Sequence, residues 1–142
     1  MSKSNVFETD LLGLIFNATP ITSLAINATA SPYTNLYLSL HSADPGEAGD
    51  QTTSEVAYTS YARKAVARDA GGFTVSGNQV TLAANQDFVA CTGGTASATY
   101  FAVGTVVSGA GKILYSGAIS PTISISTGVT PRLGTGTIIT ED

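Results

Sequence analysis

The sequence predicts an all-β protein, an antiparallel β-sandwich or jelly-roll-like domain preceded by a short helical N-terminal segment. Three observations support this class: apolar and polar residues alternate with a period of two from Asn35 onward, seven or eight short β-forming runs follow one another, and glycine- or proline-containing turns separate them. A chain of 142 residues is large enough to bury one core. We therefore expect a single domain overall, with a helical segment at residues 1–34 and a β-sandwich at residues 35–142.

The N-terminal segment predicts two short helices. Asn5, followed three residues later by Glu8, has the spacing of a helix cap. The apolar face of the first helix would be formed by Leu11, Leu12, Leu14 and Ile15. Thr19-Pro20 has the chemistry of an N-cap followed by a proline in the first turn. The second helix would bury residues spaced i, i+3, i+4 and i+7, and would end at Ser31-Pro32: Ile21, Leu24, Ala25 and Ala28.

Targeting and membrane signals are not evident in the same segment. Acidic residues follow Lys3 before any apolar run, and the run Leu11–Phe16 is too short for a secretory signal or a membrane span. Asn17-Ala18-Thr19 and Asn27-Ala28-Thr29 match the glycosylation sequon. Without a secretory route, we interpret both sequons as helix-end and cap chemistry.

The strands are predicted from alternation and from the turns between the runs. In the first run Leu36, Leu38 and Leu40 face one way, whereas Tyr37, Ser39 and His41 face the other. Glycine and proline punctuate the later runs. The remaining predicted strands are Tyr58–Arg68, Gly72–Val75 paired with Gln79–Ala83 around Ser76-Gly77-Asn78, Thr99–Val107, Lys112–Ile119, Ile123–Thr127 and Gly136–Thr140.

Composition restricts the partners of the chain. Only 11% of the residues are charged, against about 25% in a typical soluble domain. Either much of the surface lies against another molecule, or the protein is a compact, threonine-rich β domain. A net charge of −4 argues against a nucleic-acid partner. Cys91 is the only cysteine, which excludes an intrachain disulfide, and we expect it to be a buried small apolar residue.

The segment NLYLSLHSADPGEAG, residues 35–49, resembles an active site more than any other part of the chain. It holds the only histidine, His41, and begins a cluster of four acidic residues: Asp44, Glu47, Asp50 and Glu55. One histidine cannot form the usual zinc site, and the acidic spacing does not match an EF-hand loop. Asp44-Pro45-Gly46 has the chemistry of a tight turn. We therefore expect His41 to end the polar face of a strand and the acidic residues to form a solvated loop, and we leave open whether that loop, Asp44 to Glu55, binds a cation.

Two further groups of residues have some features of a binding site. Gly109-Ala110-Gly111-Lys112 lacks the first glycine and the Ser or Thr of a phosphate-binding loop, so it predicts a hairpin turn. In a strand, Lys64 and Arg68 share a face and Arg63 takes the other, which predicts a solvated or interface-lining strand. Tyr58 and Tyr61 are expected to pack against the sandwich. No catalytic, cofactor-binding or metal-binding residue is predicted, and no cofactor is expected.

Four segments of the chain resemble one family. They are LYLSLHSADPGEAG at 36–49, EVAYTSYARKAV at 55–66, CTGGTASATYFAVGTVVSGAGKILYSGAIS at 91–120, and the ending TGVTPRLGTGTIITED. In this order they are similar to small virion proteins of tailed bacteriophages, known as tail fibre proteins, as head decoration (cement) proteins or simply as structural proteins. The resemblance covers residues 35–142 and implies a β-rich, non-enzymatic virion component made in the host cytoplasm and present in many copies.

This resemblance leaves three hypotheses for function. The first is a capsid decoration protein on the outer head surface, which would bridge capsomers through the major capsid protein and through copies of itself as a dimer or trimer, without nucleic-acid or membrane partners. The alternative is a tail or tail-fibre component that contacts the host surface. The third is a hydrolase that uses His41. The head surface of the virion is favoured over the tail, and an enzyme is not expected.

Overall fold

A computed structural model describes residues 3–26 and 31–141 of the chain. Its helix and strands are α1 (Asn5–Asn17), β1 (Asn35–His41), β2 (Lys64–Ala67), β3 (Phe73–Ser76), β4 (Gln79–Leu82), β5 (Gln86–Asp87), β6 (Thr95–Gly104), β7 (Ile113–Ser126), β8 (Arg132–Leu133) and β9 (Ile138–Thr140). The strands form sheets of four, three and two strands, and the registers given below are antiparallel. This confirms the predicted all-β class with one short N-terminal helix.

The chain divides into two compact units, and each is assembled from separated segments. Unit 1 contains Met1–Asn35, Val66–Asn85 and Leu133–Asp142, and unit 2 contains Leu36–Ala65 and Gln86–Arg132. Residues belong to the same unit because they contact one another. The boundary between a helical segment at residues 1–34 and a β-domain at residues 35–142 stays a prediction.

Helix α1 begins one residue earlier than the sequence predicts. Ser4 is the N-cap, and its hydroxyl accepts a hydrogen bond from the Phe7 amide at 3.3 Å. Asn5 is therefore the first helical residue, and the prediction that it caps the helix is wrong. Both residue types can accept from an N-terminal amide, so the sequence alone does not separate them.

The apolar face of α1 packs within unit 1. Leu12 and Phe16 are fully buried, and the Phe16 ring meets Phe73 edge to face at a centroid distance of 5.0 Å. The Thr9 hydroxyl donates to the carbonyl of Gly77, in the turn between β3 and β4, at 2.8 Å. The helix is thus fixed to β3 and to the turn that follows it.

The C-terminal end of α1 is capped by a residue distant in the sequence. Ala18 adopts a left-handed conformation (φ 53°), and no basic residue lies in the last turn. Arg68 supplies the missing positive charge: its guanidinium donates to the Leu14 and Ile15 carbonyls, each at 2.5 Å. A cation at this end compensates the free carbonyls and the helix dipole.

The sequon at Asn17 lies at this same helix end, as predicted. With its amide oriented so that the nitrogen faces carbonyl oxygens, Asn17 donates to the Phe73 and Asp69 carbonyls at 3.0 and 3.2 Å. The second sequon, at Asn27, lies outside the described residues.

The predicted second helix is wrong over its described part. Ile21 and Ala25 form a two-way antiparallel bridge around a tight turn in which Ser23 has a φ of 60°. Leu24, expected on the buried face, is 69% exposed. A spacing of three and four residues also occurs in a closed turn, so the pattern was not specific to a helix; its last position, Ala28, lies outside the described residues.

The predicted hairpin is confirmed in unit 1. β3 and β4 pair from Phe73 with Leu82 to Ser76 with Gln79, which leaves a two-residue turn whose first residue, Gly77, has a φ of 60°. β9 then adds to the other edge of β4. Phe73 and Val80 are completely buried in this three-stranded sheet.

The four-stranded sheet has the order β2-β1-β6-β7. Leu38 pairs with Val103 and Leu40 with Phe101, so the apolar face predicted for β1 continues onto β6. The two predicted strands Lys112–Ile119 and Ile123–Thr127 are parts of one strand, β7, that runs through the cis peptide bond Ser120–Pro121.

An irregularity lets Pro121 lie within β7. Between Ala98 and Tyr100 the pairing with β7 jumps from Ile123 to Ala118, so the intervening residues bulge out of the ladder. Because a bulged edge residue need not donate its amide, proline is tolerated there. The prediction that Pro121 separates two strands is therefore wrong.

Candidate functional site

His41 lies at the end of β1 and is completely buried. Its Nδ1 atom lies 2.8 Å from the Thr53 carbonyl oxygen and its Nε2 atom 2.8 Å from the Ser39 hydroxyl. Because a carbonyl can only accept, Nδ1 carries the proton and Nε2 accepts from Ser39. His41 is the last residue of β1, as predicted, and the polar face that it shares with Ser39 is covered by the segment around Thr53.

The order serine, histidine, carbonyl resembles a nucleophile, a base and the group that orients the base. Sequence reasoning found no nucleophile for His41, although Ser39 lies two residues away on the same face of the strand. Ser39 and His41 are both 0% exposed, so a substrate carbonyl has no route to the hydroxyl in this conformation. What the arrangement does is fasten the loop at Thr53 to β1.

Burial also decides the charge of the ring. Desolvation lowers the pKa of His41 below its ordinary value, against smaller opposing contributions from the Thr53 carbonyl and Glu55. As the pH falls through the ordinary histidine value, the unfolded chain therefore takes up a proton that the folded chain does not. This group stabilises the fold above that value and progressively less below it.

The buried Arg63 and the half-buried Glu55 form a two-pronged ion pair. Both distances, Arg63 Nε to Glu55 Oε1 and Arg63 Nη2 to Glu55 Oε2, are 2.7 Å, and the Tyr61 hydroxyl donates to Oε1 at 2.9 Å. The third nitrogen of Arg63 donates to the Val106 carbonyl at 3.1 Å. Hydrogen bonds to Glu55 raise the pKa of Arg63 further above its already high value. These hydrogen bonds join three separate positions of unit 2: Glu55, Arg63 and Val106.

The four acidic residues of the segment do not converge. Asp50 accepts from the amide and the hydroxyl of Thr52, which lowers the pKa of its carboxyl group, and Glu55 is occupied by Arg63. Asp44 and Glu47 are exposed in the loop, as predicted. In residues 3–26 and 31–141 no group of three or more His, Cys, Asp or Glu side chains is placed to hold a metal ion.

Gln51 is the buried polar residue that sequence reasoning missed. It is 0% exposed, its Oε1 accepts from the Thr105 and Val106 amides at 2.9 and 3.0 Å, and its backbone amide donates to Gly111 at 3.0 Å. A Cβ at Gly104 would lie 2.1 Å from the Gln51 side chain. Glycine at Gly104 therefore leaves the space that Gln51 fills. In the sequence, Gln51 differs from its neighbours only as an uncharged polar residue within an acidic loop.

The remaining candidates have structural roles. Gly109 has a φ of 79° in the turn between β6 and β7, and the Thr105 amide donates to the Lys112 carbonyl, which confirms the predicted hairpin turn. Cys91 is 1% exposed, as expected.

The basic and aromatic candidates also lie within the packing. Tyr58 and Tyr61 pack edge to face at 5.3 Å, and the Tyr61 ring stacks on Phe88. Arg63 lies before the strand that was predicted to hold it, because β2 begins only at Lys64, and it is buried rather than solvated.

The fold and these contacts define a class of protein: a small antiparallel β protein whose polar clusters fasten loops to strands. A family model described as podophage GP4 fiber I protein gp80 matches residues 2–141. The chain belongs to this family, a phage virion structural family, as the resemblance implied. The match also includes α1, which lies outside residues 35–142, the part that the resemblance covers. No curated protein matches the chain. Among the described residues, no helix has the length and hydropathy needed to cross a membrane.

Proposed function

We propose that the protein is a non-enzymatic structural subunit of a virion fibre, present in several copies and in contact with copies of itself. The observation that carries the proposal is the family match over residues 2–141, because the family is described by a fibre. The internal contacts agree with this role. The most chemically suggestive groups, His41 with Ser39 and Arg63 with Glu55, are used to hold the chain together.

The described elements bear on the part of a fibre that this chain would form. A shaft of coiled coil or β-helix needs a long repetitive segment, and α1 has only 13 residues. The protein therefore suits a compact module at the base or tip of a fibre better than the shaft itself. Repetition of the module would supply avidity where each single contact is weak.

Head decoration remains a second candidate because of the exposed apolar side chains of unit 1. Val6, Leu24 and Ile26 are each 69–72% exposed on a chain that carries few charges. A surface of this kind would suit a capsid lattice and the major capsid protein as partner. The fibre is preferred because the family description names it and gives no support to decoration.

Gold-labelled antibody on intact virions distinguishes the two candidates. We expect label on the fibres and little on the head; label spread evenly over the head surface would contradict the fibre proposal. The matched control is a particle from which the gene has been deleted, which should bind no label. That deletion should also reduce adsorption to host cells and leave the thermal stability of the head unchanged, whereas loss of a decoration protein would weaken the head.

A further inference from the structure

The loop that follows β1 closes back on the end of that strand. At its base, the Ser42 amide and hydroxyl both donate to the Ser54 carbonyl, at 2.8 and 3.1 Å. Next to this pair, the Val56 amide donates to the Leu40 carbonyl at 3.0 Å. Residues 42–54 therefore form one closed loop whose two ends lie side by side, and we call it the β1 loop.

A second attachment holds the far part of the β1 loop. The Gln51 amide donates to the Gly111 carbonyl at 3.0 Å, and its side-chain Oε1 accepts from the Thr105 and Val106 amides. Gln51 Nε2 is buried as well, but it has no hydrogen-bond partner in the described part of the chain. A buried donor without a partner destabilises the closed loop relative to an open one, because water reaches the amide when the loop opens.

His41 joins the base of the β1 loop to the strand. Its Nδ1 atom donates to the Thr53 carbonyl, on the loop, and its Nε2 atom accepts from the Ser39 hydroxyl, on β1. Both Ser39 and His41 are 0% exposed. The neutral ring is therefore a contact between loop and strand from which water is excluded.

Four titratable side chains lie on the segments packed against the imidazole in the described part of the chain. Glu55 forms a bridge with His41 and is held by Arg63, the Tyr61 hydroxyl accepts from the β1 backbone, and Tyr100 lies opposite His41 on β6. Desolvation lowers the pKa of His41; a backbone carbonyl and Glu55 oppose this effect, and Arg63 adds to it. Because Glu55 is already paired with Arg63, a protonated ring in the closed loop would lack a carboxylate of its own.

We propose that the β1 loop opens at acidic pH: protonation of His41 releases residues 42–54 from β1 while the four-stranded sheet stays folded. The closed loop keeps water from the charged ring, whereas the open loop hydrates both the imidazolium and the Gln51 amide. Opening uncovers the polar face of β1, with Ser39, and displaces the acidic side chains that the loop carries. The inference concerns the folded chain itself and does not depend on the fibre role.

The direction of the effect follows from the two states of His41. In the closed loop the ring has a lowered pKa, whereas in the open loop it has the ordinary value of about 6.5. The open state therefore takes up a proton first as the pH falls. Its population rises by up to about tenfold per pH unit below the ordinary value, which amounts to about thirtyfold between about pH 7.5 and about pH 5.

Hydrogen exchange of the full chain at about pH 7.5 and about pH 5 measures this opening. After correction for the pH dependence of the intrinsic exchange rate, we expect the Ser42 and Gln51 amides to lose up to about thirtyfold in protection. Both amides donate to carbonyls that hold the loop closed. The amides of β6 are the internal reference and should change far less. Unchanged loop protection, or equal losses in the loop and in β6, would overturn the proposal.

Two variants separate the titration of the ring from the strength of the attachment. His41→Gln removes the titrating group and keeps a side-chain amide, so the ratio of loop protection at the two pH values should fall close to one. Gln51→Ala removes the second attachment, so the loop should exchange faster at both pH values and keep the wild-type ratio. Circular dichroism establishes that both variants are folded. A wild-type ratio in His41→Gln would assign the effect to another group and refute the role of the histidine.

The wild-type chain offers a test that needs no substitution. His41 is the only histidine, so the proton on its ring Cε1 can be followed by NMR across the same pH range. We expect the ring to become protonated together with the loss of Ser42 protection, and its protonated signal to lie where that of a solvent-exposed histidine lies. A ring that becomes protonated while the Ser42 amide stays protected would contradict the proposal, even if His41→Gln does not fold.

Discussion

The buried polar residues of unit 2 show how far single residues can be interpreted from the sequence. The sequence identified His41 and Glu55 as unusual and separated Arg63 from Lys64. It did not pair Glu55 with Arg63, because that contact depends on the chain reversing between them at Tyr58–Tyr61. The alternation of apolar and polar residues along β1 shows which side chains share a face of the strand. It does not show which other segments pack on that face, so it could not reveal that a later loop covers His41.

Replacing Arg63 tests whether the ion pair holds unit 2 together. Arg63→Met should lower the free energy of unfolding by up to about 3–5 kcal/mol, because it leaves Glu55, whose side chain is only 16% exposed, without its cation. Lys64→Met is the matched control, with the same chemical change at the next residue, and should shift stability by at most about 0.5 kcal/mol. Urea denaturation measures both. Equal effects would show that the pair adds nothing beyond the loss of a basic side chain.

The elements differ in how much their own sequence specifies them. The β3–β4 hairpin was predicted because its strands and its Gly77-Asn78 turn lie in one short stretch. The helix predicted from Thr19 does not form. The apolar spacing of this segment does not reveal that Ser23 adopts a positive φ in a tight turn. The β6–β7 turn was predicted as a turn, yet its contact with Gln51 was not, since more than 50 residues separate the two.

Gly104 and Gln51 provide an element-scale prediction. Gly104→Ala should destabilise the fold by about 1–3 kcal/mol, because the added methyl overlaps the Gln51 side chain. In a Gln51→Ala background the same substitution should cost much less, since the space is then empty. Thermal unfolding of the four chains gives the coupling between the two positions.

Gly136→Ala is the control for this cycle. A Cβ at Gly136 meets nothing within 4 Å, and its φ lies outside the range that favours glycine. It should be close to neutral in both backgrounds. If Gly104→Ala lowers stability equally in the Gln51→Ala background, the loss of stability comes from backbone strain and not from overlap with Gln51.

At the scale of the whole molecule, composition and pattern identified the fold class, and the order of segments identified the family. They did not reveal that residues near both ends belong to unit 1 with the central hairpin. That arrangement depends on contacts such as Phe16 with Phe73 and Arg68 with the end of α1, which a local pattern does not encode.

Deletion of residues 1–34 tests the predicted domain boundary. The fragment 35–142 loses Phe16 from the face of Phe73 and loses the carbonyls that accept from Arg68. We expect hydrogen exchange in the β3–β4 hairpin to accelerate strongly, because its buried surface becomes accessible. The amides of β6, in unit 2, are the internal reference for that change. Unchanged protection of the hairpin would instead establish residues 35–142 as an independent domain.

The ion pair between Lys3 and Glu141, at 3.0 Å, has a consequence for the genetics of the protein. Two positions that are 138 codons apart meet in space, so a short flexible linker would join them without moving either residue. New ends opened in the exposed turn at Gly109–Ala110 would give a circularly permuted gene. Every strand would keep its partner in the permuted chain. The protein should therefore reach the same fold when its segments are translated in a different order.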